Sequence, residues 1–280
     1  MMTSVTTVHL NPVSAEREEE FNLWYSYVHL RDVMGMPGHI SAQRFCRCAY
    51  QPAVSDDTYK YYTFYELKSK AESTRSHQDR VMTWELLISS AFDFSNYKES
   101  YWDLCTGTAP YPTFAEHGRT SWNLVALIQG KEGTDVEAML SEERLTHLAA
   151  MDGVYAANLY RFGTEQMPKK TAAPEPCTHQ LVVQLEDARL GCAAWDAFLA
   201  EYPELNGLEM AVTNYESMMP RLTEQWPTPQ DRAISAIAHI LAGLPGFCAG
   251  EAYVKKTDVL SPALLENLKR LAAEDAAGGN

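Results

Sequence analysis

One pattern occurs three times in this 280-residue chain: a helical run, a break containing glycine, then a strand that opens on small residues. The first copy runs from His29 to Met36, breaks at Pro37-Gly38 and continues as His39 to Phe45. The second is Leu145 to Met151, Asp152-Gly153, then Val154 to Phe162. The third is Ala238 to Leu244, Pro245-Gly246, then Phe247 to Tyr253. Pro-Gly and Asp-Gly stop a helix and turn the chain into a strand, because glycine tolerates the left-handed backbone that ends a helix. Recurrence in one order points to internal duplication.

The surrounding residues supply the rest of a unit. Val5 to Leu10 is rich in β-formers and ends at Asn11-Pro12. Ser14 is positioned to cap a helix whose first turn carries Glu16, Glu18, Glu19 and Glu20, acids that suit the positive end of the helix dipole. That helix is expected to reach Met34, with Phe21, Trp24, Tyr25, Val28 and His29 on one face. Strands are expected over Ile40 to Cys48, Tyr59 to Leu67 and Tyr101 to Thr106, with a helix from Ala71 to about Ile88. The order β-α-β-β-α-β is the ferredoxin-like unit. It recurs as a strand at Trp122 to Ile128, a helix at Asp135 to Met151, strands at Val154 to Phe162 and Leu181 to Leu185, a helix containing Trp195 to Tyr202, and a strand at Leu208 to Tyr215. A helix at Asp231 to Leu244, a strand at Phe247 to Val254 and a helix at Pro262 to Glu274 follow. The expected class is therefore α+β: tandem ferredoxin-like repeats over 1–112 and 119–222, with a C-terminal helix-strand-helix extension over 229–280.

Charge and cysteine usage narrow the partners. The formal net charge is −14, and the densest basic runs are only Lys169-Lys170 and Lys255-Lys256. Nucleic acids and anionic membrane surfaces require clustered Lys and Arg, so neither is an expected partner. No apolar stretch approaches the ~18 residues of a membrane-spanning helix. The N-terminus lacks a signal-peptide pattern, and six scattered cysteines read as reduced thiols, so a cytoplasmic location is expected. Cys46-Arg47-Cys48 places two thiols on one strand face, but zinc sites show wider spacing and a second ligand pair. No Gly-rich nucleotide loop and no Gly-x-Ser-x-Gly elbow is present. No cofactor is expected.

Phe21-Asn22-Leu23-Trp24-Tyr25, His29, the Pro37-Gly38 turn, Ser41 to Phe45 and Tyr61 to Leu67 together resemble the EthD-like branch of the dimeric α/β-barrel superfamily. The resemblance covers residues 5–70 well and 71–110 fairly; in the second unit it rests on topology and the glycine turn. It implies sheets that pair into a barrel, either between two chains, as a homodimer, or between two repeats of one chain. It also implies work on aromatic, polyketide or other apolar small molecules by cofactor-independent monooxygenases, isomerases, cyclases or lyases, with some relatives binding haem. The second repeat departs from the motif: aligning Gly38 with Gly153 sets Arg144 opposite His29.

His29 is the leading candidate for chemistry, because an imidazole exchanges protons near neutral pH and this one shares an apolar helix face. The alternative is a core histidine bonded to a carbonyl or a hydroxyl. Tyr25, one turn earlier, can orient His29 or hold a substrate oxygen, or can simply pack. Trp24 is either a substrate-facing ring or packing. Asp32 can fix the His29 tautomer or be a solvated helix-end carboxylate. On the third strand Tyr59, Tyr61, Thr63 and Tyr65 share one face, and Lys60, Tyr62, Phe64 and Glu66 the other. Tyr61 and Tyr65 are candidates to line a substrate site. Arg44 can meet a substrate carboxylate or phenolate, or pair with Glu66. His147 and His179 are the residues considered for haem iron, without a local motif.

The leading expectation is a cofactor-independent enzyme acting on an apolar aromatic or polycyclic molecule, with His29 as general base assisted by Tyr25. The alternatives are a haem protein on the doubled scaffold and a non-catalytic binding or oligomerisation module.

Overall fold

The computed structural model describes residues 4–80, 86, 88–108, 121–130, 133–163 and 177–223, and scattered positions between 266 and 277. Eight strands form a closed antiparallel barrel: β1 (Ser4–Pro12), β2 (His39–Arg47), β3 (Tyr61–Leu67), β4 (Phe92–Gly107), β5 (Trp122–Gln129), β6 (Val154–Phe162), β7 (His179–Leu185) and β8 (Glu209–Ser217). The order around it is β3-β1-β4-β6-β7-β5-β8-β2, and a β3–β2 pairing completes the circle within one chain. A two-residue strand, β9 (Leu222–Thr223), adds to the outer half of β2. Each half of the barrel has the same internal order, β4-β1-β3-β2 in the first and β8-β5-β7-β6 in the second. The halves meet at two seams, β4 with β6 (Trp102 opposite Phe162) and β2 with β8 (Phe45 opposite Ser217).

The residues group into two compact units that interleave along the sequence: Met1–His9, Gln43–Lys70 and Lys98–Arg221, and Leu10–Ala42, Ala71–Tyr97 and Leu222–Asn280. The first unit has two cores, because its strands bury both faces. One lies between the second-half strands and their helices and includes Leu124, Ile128, Leu145, Leu148, Leu181, Trp195 and Phe198. The other fills the barrel lumen with Val5, Phe45, Tyr62, Phe64, Trp102, Val125, Tyr160, Val182 and Tyr215. Each such side chain contributes about 1.5–3 kcal/mol by leaving water.

In the second unit an irregular helical segment runs from Ala15 to Met34. It comprises a 3-10 turn (Ala15–Arg17), α1 (Glu18–Trp24), a π turn (Tyr25–His29) and α2 (Leu30–Met34). Its start is not capped by the Ser14 side chain, contrary to expectation. Polar bonds to the segment before β4 hold it instead: Arg17 donates to the Ser90 hydroxyl at 2.9 Å, and the Ser89 hydroxyl donates to Glu20 at 3.0 Å. The same unit contains α3 (Lys70–Arg80) from Ala71 onward. The helix expected to reach Ile88 does not, since Leu86 and Ile88 are non-helical. The helix and strand expected over 231–254 lie outside the described residues; in the last expected helix Glu266, Leu268 to Arg270, Ala273 and Glu274 are helical.

The second half carries α4 (Val136–Met139), α5 (Glu142–Ala149) and α6 (Ala188–Glu201). One helix was expected from Asp135 to Met151, yet two form, because two caps compete. The Asp135 carboxylate accepts from the Ala138 N–H, and the Ser141 hydroxyl accepts from the Arg144 N–H, which starts a new helix. Asp187 caps α6 through the Leu190 N–H at 2.8 Å, and the helix contains the expected Trp195. No helix among the described residues is long and apolar enough to cross a membrane.

Both described copies of the glycine turn adopt the left-handed backbone, with φ 95° at Gly38 and 80° at Gly153. Gly153 is further constrained by proximity: a Cβ there would lie 2.5 Å from the Leu190 Cβ and 2.7 Å from the Gly191 nitrogen. Replacing Gly153 by Ala is expected to lower the unfolding free energy by about 1–3 kcal/mol, combining left-handed strain with a clash against backbone. Urea denaturation of the purified variant beside the wild-type chain measures it.

Candidate active site

Three of the residues expected to carry chemistry, Trp24, Tyr25 and His29, lie at an irregularity in the first long helix. At Tyr25–His29 the ladder slips by one residue, and the Leu30 N–H donates to the Tyr25 carbonyl five positions back. Such π turns widen the helix locally and recur at functional sites. The wider turn sets the His29 imidazole between two aromatic side chains. Its centroid is 4.9 Å from the Trp24 ring and 4.8 Å from the Tyr25 ring, the latter edge-on. Trp24 and Tyr25 are each 2% exposed, whereas His29 is half-buried with its Nδ1 shielded from solvent. Phe21 and Phe92 extend the aromatic cluster behind Trp24, each 6.1 Å away. An α-helical spacing puts Tyr25 and His29 on one face; the π turn brings Trp24 against the imidazole as well.

Arg44, Tyr61 and Tyr65 lie in the other unit. Arg44 is fully buried, and its guanidinium stands 5.4 Å from the centre of the Tyr61 ring, a cation–π arrangement. Tyr61 and Tyr65 are buried on the opposite face of β3 from Tyr62 and Phe64, and it is Tyr62 and Phe64 that enter the barrel lumen. Glu66 shares the Tyr62 face and sits near Tyr160, whose phenol its charge helps to push up.

The lumen holds a polar relay that the sequence did not announce. The Trp102 indole N–H donates to the Thr7 hydroxyl at 2.8 Å, and Thr7 donates to the Gln180 side-chain carbonyl at 2.9 Å. The Gln180 amide donates to the Tyr62 hydroxyl at 3.2 Å. Tyr62 stacks on Tyr215 with centroids 5.2 Å apart, and His9 packs on Tyr62 at 4.9 Å. Burial pushes the Tyr62, Tyr160 and Tyr215 phenols well above the usual tyrosine range. Burial, reinforced by the Lys98 charge, lowers His9 to about 3, so this imidazole is neutral at physiological pH. Neither His9 nitrogen makes a well-formed hydrogen bond; the favourable polar neighbour is Gln180. Alternation of Val5, Thr7 and His9 along β1 was the available signal, since it aims a threonine and a histidine at the Val5 side.

Three residues from distant parts of the sequence form a second cluster. Cys105, Glu137 and His179 present a thiol, a carboxylate and an imidazole whose ligand atoms all lie within 4.8 Å of one another. Burial, with the Glu137 carboxylate beside it, pushes the Cys105 thiol up to about 12. The Cys46 and Cys48 thiols, expected to share a strand face, both point at Glu216, at 3.9 and 3.7 Å. His147, considered for haem, places its Nδ1 3.0 Å from the Tyr202 hydroxyl.

No known family model matches the chain, and no curated protein does. Among solved structures, the chain is similar to an anthrone oxidase-like protein at 12% identity, over 80% of this chain and 94% of that one, with a TM-score of 0.51. Two monooxygenase structures assigned by inference, from Fusobacterium nucleatum subsp. nucleatum and Lactobacillus acidophilus, are similar at 9% and 10% identity over 78% and 80% of this chain, with TM-scores of 0.48 and 0.43. They cover 93% and 97% of those chains. The first likeness is one of fold alone, a barrel of antiparallel strands with helices packed outside.

The lowered His9 value makes stability depend on pH. In the unfolded chain His9 takes up a proton as the pH falls through about 6.5, while in the folded barrel it stays neutral down to about 3. Stability from this group is therefore complete above 6.5 and lost as the pH falls toward 3. Between pH 7 and 5.5 the expected loss is about 1.3 kcal/mol from His9 alone. Urea denaturation at the two pH values, for the wild-type chain and His9→Gln, should show the wild type losing that much more than the variant.

Proposed function

We propose that the chain is an enzyme that removes a proton from an apolar aromatic or polycyclic small molecule, with His29 as the general base and no organic cofactor. The observation that carries this reading is the seat of His29 in the π turn, packed by Trp24 and Tyr25 and partly exposed to solvent. A base works best where one side is dry and the proton can still exchange. Tyr25, edge-on to the imidazole, would orient the ring, and Trp24 would offer a flat surface to an aromatic substrate. Proton abstraction from carbon beside a carbonyl or phenol is the common first step of isomerisation, cyclisation, elimination and cofactor-independent oxygen insertion.

Oxygen insertion is the favoured member of that set, and anthrone is the first compound to try, because the chain shares its fold with an anthrone oxidase-like protein. Removal of a ring-methylene proton leaves a stabilised carbanion that can reduce dioxygen; anthrone plus O2 gives anthraquinone plus water. The equal strand order in the two halves and the left-handed glycine at Gly38 and Gly153 favour reading them as tandem ferredoxin-like units, over 1–112 and 119–222, with 229–280 as an extension; the EthD-like branch is proposed on the Trp24-Tyr25, His29 and Pro37-Gly38 residues of the sequence.

Oxygen uptake and product absorbance with anthrone and a panel of polycyclic phenols test the reading. Turnover is expected in the wild-type chain and should fall about 10²–10⁴-fold in His29→Ala, with Tyr25→Phe reduced less. Undiminished turnover in a folded His29→Ala variant, or no product from any compound with the wild-type chain, would overturn it.

A further inference from the structure

We propose that Cys105, Glu137 and His179 form a binding site for one borderline divalent transition-metal ion of the zinc class. The proposal does not depend on the role given to His29. The three donors are a soft sulfur, an imidazole nitrogen and a hard oxygen, the set that zinc and cobalt accept together. All three ligand atoms lie within 4.8 Å of one another, and His179 Nε2 is 3.6 Å from a Glu137 oxygen. Tetrahedral bonding at ordinary zinc distances needs ligand separations of about 3.4–3.6 Å. The histidine–glutamate pair already meets this, and a side-chain adjustment of about 1 Å brings in the widest pair.

Each donor is held by a separate structural device. Cys105 lies where β4 slips register against β6, between Leu104 and Thr106. Such bulges re-aim a side chain out of the regular alternation. Glu137 sits in α4, fixed by the Asp135 cap on the Ala138 N–H at 3.0 Å. His179 stands on β7, hydrogen-bonded in register between Ile128 and Arg161. Its Nδ1 is 2.9 Å from the Thr178 hydroxyl, which orients the ring and leaves Nε2 facing the other two donors. That Nε2 is buried and makes no hydrogen bond, an unusual state for a buried nitrogen and one that a metal ion resolves.

Two further contacts bear on the site. The Cys105 thiol lies 3.7 Å from the Asp103 carbonyl, and the Arg161 guanidinium meets a Glu137 oxygen at 3.1 Å. Arg161 is 62% exposed and is therefore free to swing away when a cation takes its place. It acts as a built-in competitor. Three protein ligands leave a fourth position open for water or a small anionic ligand.

Titration of the purified full-length chain with Co²⁺ tests the proposal directly. One equivalent should produce a thiolate-to-cobalt charge-transfer band in the near ultraviolet, and Zn²⁺ should displace it. The band should vanish in Cys105→Ser and persist in Cys46→Ser/Cys48→Ser, which removes the two thiols beside the Glu216 carboxylate. His179→Gln should weaken binding at least ten-fold, within the range seen for lost ligands and their supports. Arg161→Gln should bind more tightly than the wild-type chain, which keeps the test meaningful even where Cys105→Ser folds poorly. No band with the wild-type chain, a band that survives in Cys105→Ser, or weaker binding in Arg161→Gln would overturn it.

Discussion

Closure of the barrel within one chain depends on two antiparallel seams, β4 against β6 and β2 against β8. Each half, taken alone, is a four-stranded sheet with two open edges, and open edges carry unpaired N–H and C=O groups that recruit other chains. Joining the fourth strand of each half to the second strand of the other pairs those groups internally. It also encloses the lumen. Once enclosed, a polar atom inside that lacks a protein partner is costly. The Trp102–Thr7–Gln180–Tyr62 relay answers that requirement, crossing from β4 to β1 to β7 to β3. A register slip of one residue would aim Thr7 and Gln180 outward and break the relay, so the seams and the relay specify one another.

Much of this architecture was legible before any coordinates. Val154 to Phe162 was bounded to the residue, because Asp152-Gly153 ends the helix and starts the strand. β3 was located but its faces could not be assigned. All seven of its residues are buried, so neither the odd nor the even set was marked by polarity, and Tyr61 and Tyr65 were favoured although Tyr62 and Phe64 line the lumen. β4 was read as six residues and spans sixteen, because Asp93, Ser95, Lys98 and Glu99 interrupt the apolar pattern in its first half. The π turn was invisible for a different reason. Residue spacing tests for a helix assume 3.6 residues per turn, and a single slipped hydrogen bond leaves no mark on composition.

The Cys105–Glu137–His179 cluster lay beyond sequence reasoning altogether. Metal motifs are recognised when ligands share an element at fixed spacing, whereas these three come from a bulge, a short helix and a strand start separated by more than thirty residues each. Only the β4–β6–β7 neighbourhood brings them together. The Cys46-Arg47-Cys48 pair shows the converse. Its spacing was conspicuous, yet the two thiols share one carboxylate, Glu216, and no imidazole joins them.

Five of the described histidines can be compared by what their surroundings allow them to do, and under the proposed function the comparison supports His29 as the proton carrier. A base that turns over must accept a proton near neutral pH and return it to solvent. His9 fails the first condition, since enclosure in the lumen beside Lys98 holds it neutral down to about pH 3. His39 is buried with Nδ1 3.3 Å from the Met36 carbonyl and Nε2 3.1 Å from the Ser73 hydroxyl, so both ring nitrogens are engaged. His147 is held by Tyr202 with Glu201 nearby, and His179 faces a carboxylate and a thiol. His29 differs from these: it is half-buried, two aromatic rings fix its plane, and the π turn lifts it out of the regular helical ladder. Such a turn is less favourable than a regular α-helical one, and Trp24 and Tyr25 at 2% exposure supply the packing that holds it in place. The same two side chains thus maintain the irregularity and shape the surroundings of the imidazole it presents.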